Sequence, residues 1–188
     1  MGFIELALIA TGVSMDAFAV ALCTGVSIKK ASAKNIFTVG LYFGIFQAVM
    51  PLIGYYLGAQ FADKITAIDH WIVFILLSLI GSKMIKDSFS KDDCTSEQEA
   101  SLKFKDMLPL SLATSIDALA IGVSFSFLQV RIVPAVVFIG ITTLLLSMGA
   151  VKIGNVFGIR FRAKAEFAGG LILVLMGIKI LVEHTGLI

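Results

Sequence analysis

Charged side chains are scarce in this sequence. Asp, Glu, Lys and Arg together make up 15% of the 188 residues, whereas hydrophobic residues make up 58%. A soluble domain has about 25% charged and about 45–50% apolar residues. The shortage of charge, together with a mean hydropathy of +0.97, excludes an ordinary soluble domain and predicts an all-α integral membrane protein.

The sulfur and imidazole ligands of common metal and redox sites are also few. The chain has two cysteines and two histidines, and they form neither a CxxC nor an HxxxH pattern. Zinc and copper(I) sites are therefore not indicated. No basic patch with interleaved aromatic residues indicates nucleic acid. No Lys or Arg precedes Lys29, so the first apolar stretch does not resemble a cleavable signal peptide and is expected to remain in the mature protein.

Long apolar runs are what the sequence has in abundance. Helices of about 20 residues span the roughly 30 Å hydrocarbon layer of a bilayer, and the chain contains six such runs. They predict six transmembrane helices, approximately Phe3–Ser27, Ile36–Phe61, His70–Ile85, Met107–Leu128, Val133–Ile159 and Glu166–Val182. The charged stretch 86–105, between the third and fourth helices, is predicted to be a linker without a packed core.

Positive charges fall on alternate joints between the predicted helices. The first, third and fifth joints carry ten Lys and Arg residues, whereas the second and fourth carry only Lys64 and Arg131. Positively charged short loops stay in the cytoplasm. This bias predicts a multi-pass protein with the linker in the cytoplasm and both termini outside.

The two halves of the chain share a pattern of small and polar residues. Ser14, Asp16, Ala17 and Ala19 recur 101 residues later, Gly40, Gly54 and Gly58 recur 100 residues later, and Gly81 and Lys83 recur 96 residues later. Each copy would hold three helices, and because three is odd, the second copy enters the membrane in the opposite sense. The pattern therefore predicts two inverted three-helix repeats, residues 1–85 and 106–188.

Asp16 and Asp117 are matched carboxylates near the middle of the first and fourth predicted helices. An ionised Asp at that depth costs about 2.5–3.5 kcal/mol. Neither acid has a Lys or Arg within one helical turn, and Lys83, Lys152 and Lys179 are expected nearer the membrane boundaries. A two-fold axis would bring the acids together, and a divalent cation or a proton would relieve their repulsion. The alternative is a pair of protonated acids that hydrogen bond between packed helices.

Further oxygen donors accompany the two acids. Gln47 precedes Pro51 by four residues, and a proline there leaves the Gln47 carbonyl without its helical partner, as at the discontinuous helices of transporter ion sites. An ordinary proline kink is the alternative. A helical Ser or Thr often hydrogen bonds only to its own backbone. Two carboxylates with neutral oxygens suit Mg²⁺, Ca²⁺ or Mn²⁺, and the remaining candidate ligands are Ser14, Ser115, Thr114 and Asn155.

The chain resembles the putative manganese efflux pump family (MntP) of bacteria through five segments: SMDAFAVA, MPLIGYYLG, HWIVFILL, ATSIDALAIGVSFSFLQV and GGLILVLMGIKIL. The resemblance implies a six-helix exporter of Mn²⁺ in the bacterial inner membrane, within the lysine-exporter-like superfamily. It implies that Asp16 and Asp117 are the essential acids. It also implies that Gln47 stands where the family often has Gln and sometimes Glu.

The leading hypothesis is export of Mn²⁺ by alternating access, with the ion held between Asp16 and Asp117. This makes the chain a transporter rather than an enzyme, with a transported ion and no cofactor. A second hypothesis is export of another divalent cation, such as Cd²⁺ or Fe²⁺, or of a cationic solute. A remote third is an intramembrane aspartyl protease with the acids as a dyad, although neither acid stands in a Gly-x-Gly-Asp motif. The expected partners are the metal ion and the lipid bilayer, and a homo-oligomer stays open.

Overall fold

A computed structural model describes residues 2–28, 31–62, 69–89 and 102–185 of the chain. Helices occur in every one of the six predicted segments, and no strand occurs within the described ranges. A short 3-10 turn, Gly158–Phe161, separates the last two helices. The α-helices are α1 (Phe3–Ser27), α2 (Ala33–Ala62), α3 (Asp69–Ser88), α4 (Phe104–Thr114), α5 (Ile116–Phe127), α6 (Ile132–Phe157) and α7 (Arg162–Thr185).

The fourth predicted helix, Met107–Leu128, is two helices rather than one. α4 ends at Thr114, α5 begins at Ile116, and the two are bent by 43°. Ser115 between them has φ −96° and ψ 0°, and its amide bonds to the Leu112 carbonyl in a tight turn at 3.1 Å. Hydroxyl side chains at this point offer the backbone carbonyls other partners, which weakens the helical ladder. The prediction of one continuous helix here is wrong.

Four of the helices in the described ranges are long and apolar enough to cross a membrane: α1, α2, α6 and α7. The bent pair α4 and α5 would make a fifth span. α3 differs because Lys83, Lys86 and an aspartate at one or other end fall within any 18-residue window of its sequence. The chain is therefore a helical, multi-pass membrane protein.

Small residues let the helices approach closely. α1 packs against α6 and α7, whereas α5 packs against α2 and α3, and the pairs α2–α6 and α3–α7 also pack together. A Cβ at Gly54 would lie 2.0 Å from the Leu119 carbonyl oxygen, and a Cβ at Gly154 would lie 2.1 Å from the Leu22 carbonyl oxygen. Glycine thus brings α2 onto α5 and α6 onto α1. Gly158 has a different role, since it has φ +70° and ends α6.

Apolar side chains fill the space between the helices and also cover their outer faces. Ile9, Leu77 and Phe125 belong to a buried cluster shared by α1, α3 and α5. Large apolar side chains on the outside include Phe37 and Leu145, which are 52% and 60% exposed. Exposed apolar faces of this extent suit a lipid environment.

The predicted linker 86–105 overlaps both neighbouring helices. α3 continues to Ser88, and α4 begins at Phe104, one turn earlier than predicted. The central part of the linker lies outside the described residues, as do Lys29, Lys30 and Lys64 of the predicted joints. The orientation of the termini therefore stays a prediction.

Candidate metal-ion site

Asp16 lies in the middle of the continuous helix α1, and its side chain is partly buried. α1 is close to α7 just before this point, because a Cβ at Gly169 would lie 2.9 Å from the Gly12 carbonyl oxygen. Asp16 and Asp117 lie on α1 and α5, two helices that come from opposite halves of the chain.

Asp117 has a different local setting from Asp16, because the break at Ser115 places it in the first turn of α5. The positive end of a helix dipole stabilises a carboxylate there. Lys83 of α3 holds both of its oxygens, with Nζ 3.0 Å from Oδ2 and 3.3 Å from Oδ1. The sequence predicts Lys83 nearer the membrane boundary and does not predict this ion pair. Packing of α3 on α5 brings the lysine to it, although the two residues are far apart in sequence.

Gln47 reaches from α2 to α1. Its Nε2 donates to the Val13 carbonyl at 3.1 Å, and the side chain is completely buried. Its Oε1 is buried and has no hydrogen-bond partner among the described residues. A buried, unpartnered acceptor is costly, so this oxygen is a candidate ligand. α2 remains one helix through Pro51, so a break in the helix does not accompany the proline.

Ser14 joins α1 to α6 through a residue that the sequence reasoning did not single out. Its hydroxyl lies 2.7 Å from the Thr143 hydroxyl and donates to the Ala10 carbonyl at 2.6 Å. Ser147, one turn after Thr143, has a buried hydroxyl without a partner among the described residues. Both are buried polar positions on an apolar helix, which is the signal that could have revealed them.

The hydroxyls at the α4–α5 break bond mainly to the backbone. Ser115 donates to the Ser111 carbonyl at 2.7 Å, and Thr114 approaches the Leu110 and Ser111 carbonyls at 3.2 and 3.0 Å. This is the local bonding that Ser and Thr often adopt in helices.

Asn155 lies at the end of α1 and not beside Asp16. Its Nδ2 donates to the carbonyls of Gly25 and Ile28, at 3.1 and 2.8 Å. Gly25 is nine residues beyond Asp16, or about 14 Å along a helix. The Asn155 amide satisfies the free carbonyls at a helix C-terminus, which is a structural role.

Two further ion pairs involve charged residues of α7. Glu166 is buried within α7 and accepts a hydrogen bond from Arg162 Nε at 3.0 Å, one turn earlier. It was predicted to be the first residue of this helix, which instead begins at Arg162. Lys179, also on α7, forms an ion pair with Glu5 at the start of α1.

The donor set consists of oxygens. Within the described ranges, no group of three or more His, Cys, Asp or Glu residues is arranged to hold a metal ion. The candidate ligands are the Asp16 and Asp117 carboxylates and the amide and hydroxyl oxygens described above. Oxygen ligands of these types suit a hard or borderline divalent cation.

The chain is similar to bacterial proteins that share one name. A family profile described as "Putative manganese efflux pump" matches residues 30–181. The "Putative manganese efflux pump MntP" of Acetivibrio thermocellus is 58% identical over 188 residues, covering 100% of this chain and 94% of the relative. The protein of the same name from Desulfitobacterium hafniense is 59% identical over 186 residues, covering 99% and 97%. No solved structure matches significantly. The chain belongs to the putative manganese efflux pump family.

Proposed function

We propose that the protein exports Mn²⁺ across the bacterial inner membrane as a secondary transporter. Its relatives named as putative manganese efflux pumps match this chain over 94% and 97% of their own length. The proposed site rests on two carboxylates from opposite halves of the chain, Asp16 in the middle of α1 and Asp117 at the start of α5, and on the buried Gln47 oxygen of α2, which has no partner among the described residues. A carboxylate pair within a membrane needs a counter-cation, and a transported divalent ion supplies it.

The proposed ligands are Asp16 and Asp117, with the Gln47 side-chain oxygen completing the site from α2. Ser14, Ser115 and Thr114 stay as secondary candidates, because each already bonds to a backbone carbonyl. Asn155 is left out because its amide binds the end of α1. Two carboxylates give a charge that one divalent ion neutralises, so the loaded site carries no net charge through the membrane.

Reciprocal contacts support the proposal of two inverted repeats. A Cβ at Gly40 would contact the Met148 side chain, and a Cβ at Gly140 would contact Ala48. Gly40 corresponds to Gly140, and Ala48 to Met148, at a spacing of 100 residues. On the third helix of each repeat, a Cβ at Gly81 would contact Gly170, and a Cβ at Gly177 would contact Phe74. Gly81 corresponds to Gly177, and Phe74 to Gly170, at a spacing of 96 residues. A two-fold axis predicts this exchange, since a contact between two positions recurs with their roles reversed. Alternating access would then be a rocking of one repeat against the other.

Six spans require α3 to lie in the membrane as well. Its exposed face carries Trp71, Ile75 and Leu79, which are 52%, 49% and 63% exposed. These positions are four residues apart and form one apolar stripe, as expected for a lipid-facing helix. Pairing of Lys83 with Asp117 removes part of the cost of placing a lysine within the hydrocarbon layer. With six spans, the distribution of Lys and Arg favours both termini outside.

Transport of Mn²⁺ by the purified protein in sealed vesicles tests this function. Wild-type protein should move Mn²⁺ down an imposed gradient, and Asp16→Asn and Asp117→Asn should each abolish the flux because the site loses one charge. Asp16→Glu and Asp117→Glu should also slow it strongly, because an added methylene displaces a ligand oxygen from the required geometry.

Asp93→Asn, in the charged stretch between the two halves, is the matched control and should transport normally. Normal flux in either central Asp→Asn variant would place the ion elsewhere. If Cd²⁺ or Fe²⁺ inhibits the Mn²⁺ flux more strongly than unlabelled Mn²⁺ does at the same concentration, that ion is the preferred substrate.

A further inference from the structure

Lys83 occupies the carboxylate that the transported ion is proposed to use. Its ammonium group lies 3.0 and 3.3 Å from the two Asp117 oxygens. The Asp117 side chain is 12% exposed, whereas the Lys83 side chain is 55% exposed, so the lysine approaches from the more open side. A cation bound to both oxygens leaves few lone pairs for a metal ion.

We propose that Lys83 is an internal substitute for the metal ion: it holds Asp117 when the site is empty and leaves when Mn²⁺ binds. This inference rests on the proposed function. Without a counter-cation, the two carboxylates of the empty transporter would both be exposed to the low-dielectric interior. With Lys83 on Asp117, the empty site keeps one net negative charge. Lysine and metal ion therefore compete for one carboxylate.

The second half of the chain holds the equivalent lysine in another position. Lys179 follows Lys83 by 96 residues, and it pairs with Glu5 at the start of α1. Glu5 in turn corresponds to Asp106, 101 residues later. The matched lysines therefore occupy two different positions. Lys83 binds Asp117, the acid of the proposed site, whereas Lys179 binds Glu5, near the start of a helix.

The two lysines would exchange these positions during alternating access. In an inverted-repeat transporter, each repeat takes up the conformation of the other when the protein changes the side to which it opens. Lys179 would then move from Glu5 to Asp16, and Lys83 would move from Asp117 toward Asp106. One lysine would remain on a central acid in each empty state, so the protein could return without a metal ion.

The test separates net export from exchange. Vesicles with wild-type protein, Lys83→Gln or Lys179→Gln are loaded with radioactive Mn²⁺, and efflux is measured into medium with or without unlabelled Mn²⁺. Net efflux requires return of the empty transporter, whereas exchange does not. We expect either variant to lose about tenfold or more in net efflux and to keep exchange close to the wild-type rate. Lys83→Arg, which retains a cation, should recover part of the net efflux.

Direct titration of the purified protein with Mn²⁺ adds a readout that does not depend on transport. Removal of the competing lysine in Lys83→Gln should lower the apparent Kd for Mn²⁺ by about tenfold. Lys152→Gln is the matched control, since Lys152 is an exposed lysine on a spanning helix. It should leave the Kd and both fluxes unchanged.

The outcomes distinguish this inference from the proposed function. Unchanged Kd and net efflux in Lys83→Gln would overturn the competition while leaving Mn²⁺ export in place. Equal loss of net efflux and exchange, with weaker Mn²⁺ binding, would make Lys83 a structural residue and also overturn it. A wild-type protein that neither binds nor moves Mn²⁺ would refute both the export function and the role of Lys83.

Discussion

Lys83 and Asp117 are 34 residues apart in the sequence, yet the lysine Nζ lies 3.0 Å from the aspartate Oδ2. The pair joins α3 of the first half to α5 of the second half. It also gives the Asp117 carboxylate a counter-charge within an apolar protein, where a paired charge is much less costly than an isolated one. In the second half of the chain, the matched lysine, Lys179, binds Glu5 at the start of α1.

Gln47→Leu should weaken Mn²⁺ binding by about tenfold, equivalent to about 1.4 kcal/mol. The substitution removes the buried Oε1, which has no protein partner in the described part of the chain, and keeps a side chain of similar size. Isothermal titration with Mn²⁺ measures the change. Ser78→Ala, which removes another buried oxygen without a described partner, should leave the Kd unchanged. Wild-type affinity in Gln47→Leu would limit Gln47 to its contact with Val13.

Asn155→Ala should lower stability and leave Mn²⁺ binding intact. The substitution removes the donor that satisfies the Gly25 and Ile28 carbonyls at the end of α1. Loss of a partner for a buried acceptor costs about 1–3 kcal/mol. Thermal unfolding in detergent, measured beside the Mn²⁺ Kd, checks both parts. A variant with normal stability and a raised Kd would return Asn155 to the set of ligands.

Gly54→Ala and Gly154→Ala should each destabilise the protein by about 1–3 kcal/mol, because overpacking forces adjacent backbones apart. The new methyl groups would lie 2.0 and 2.1 Å from the carbonyl oxygens of Leu119 and Leu22. Gly149→Ala, on α6 like Gly154, is the matched control because nothing lies within 4 Å of its Cβ position.

Denaturation temperatures of the three glycine variants in the same detergent give the comparison. Gly149→Ala should match the wild type or be slightly more stable, since alanine favours a helix over glycine by about 0.5–1 kcal/mol. Equal stability of Gly54→Ala and Gly149→Ala would mean that α2 and α5 can separate without cost.

The helical segments follow from the sequence because few backbone conformations are stable for an apolar run in a membrane. Backbone groups in hydrocarbon must bond within their own segment, so a run of about 20 apolar residues forms a helix. The bounds of α1 agree with those predicted, and those of α2 and α6 agree within a few residues. The family could likewise be recognised from motifs around Asp16 and Asp117, and the comparisons confirm it.

Only the tertiary structure decided which charges meet. Hydropathy does not reveal the break at Ser115, because α4 and α5 together read as one apolar run and the bend depends on competing hydroxyl–carbonyl bonds. The placement of Lys83 on Asp117, of Lys179 on Glu5 and of Asn155 at the end of α1 arises from contacts between distant segments. Sequence alone determined that this protein would be helical and would carry acids inside its apolar interior. The packing of helices against one another determined which cations and amides those segments would reach, because electrostatic and hydrogen-bond partners are chosen by distance in space.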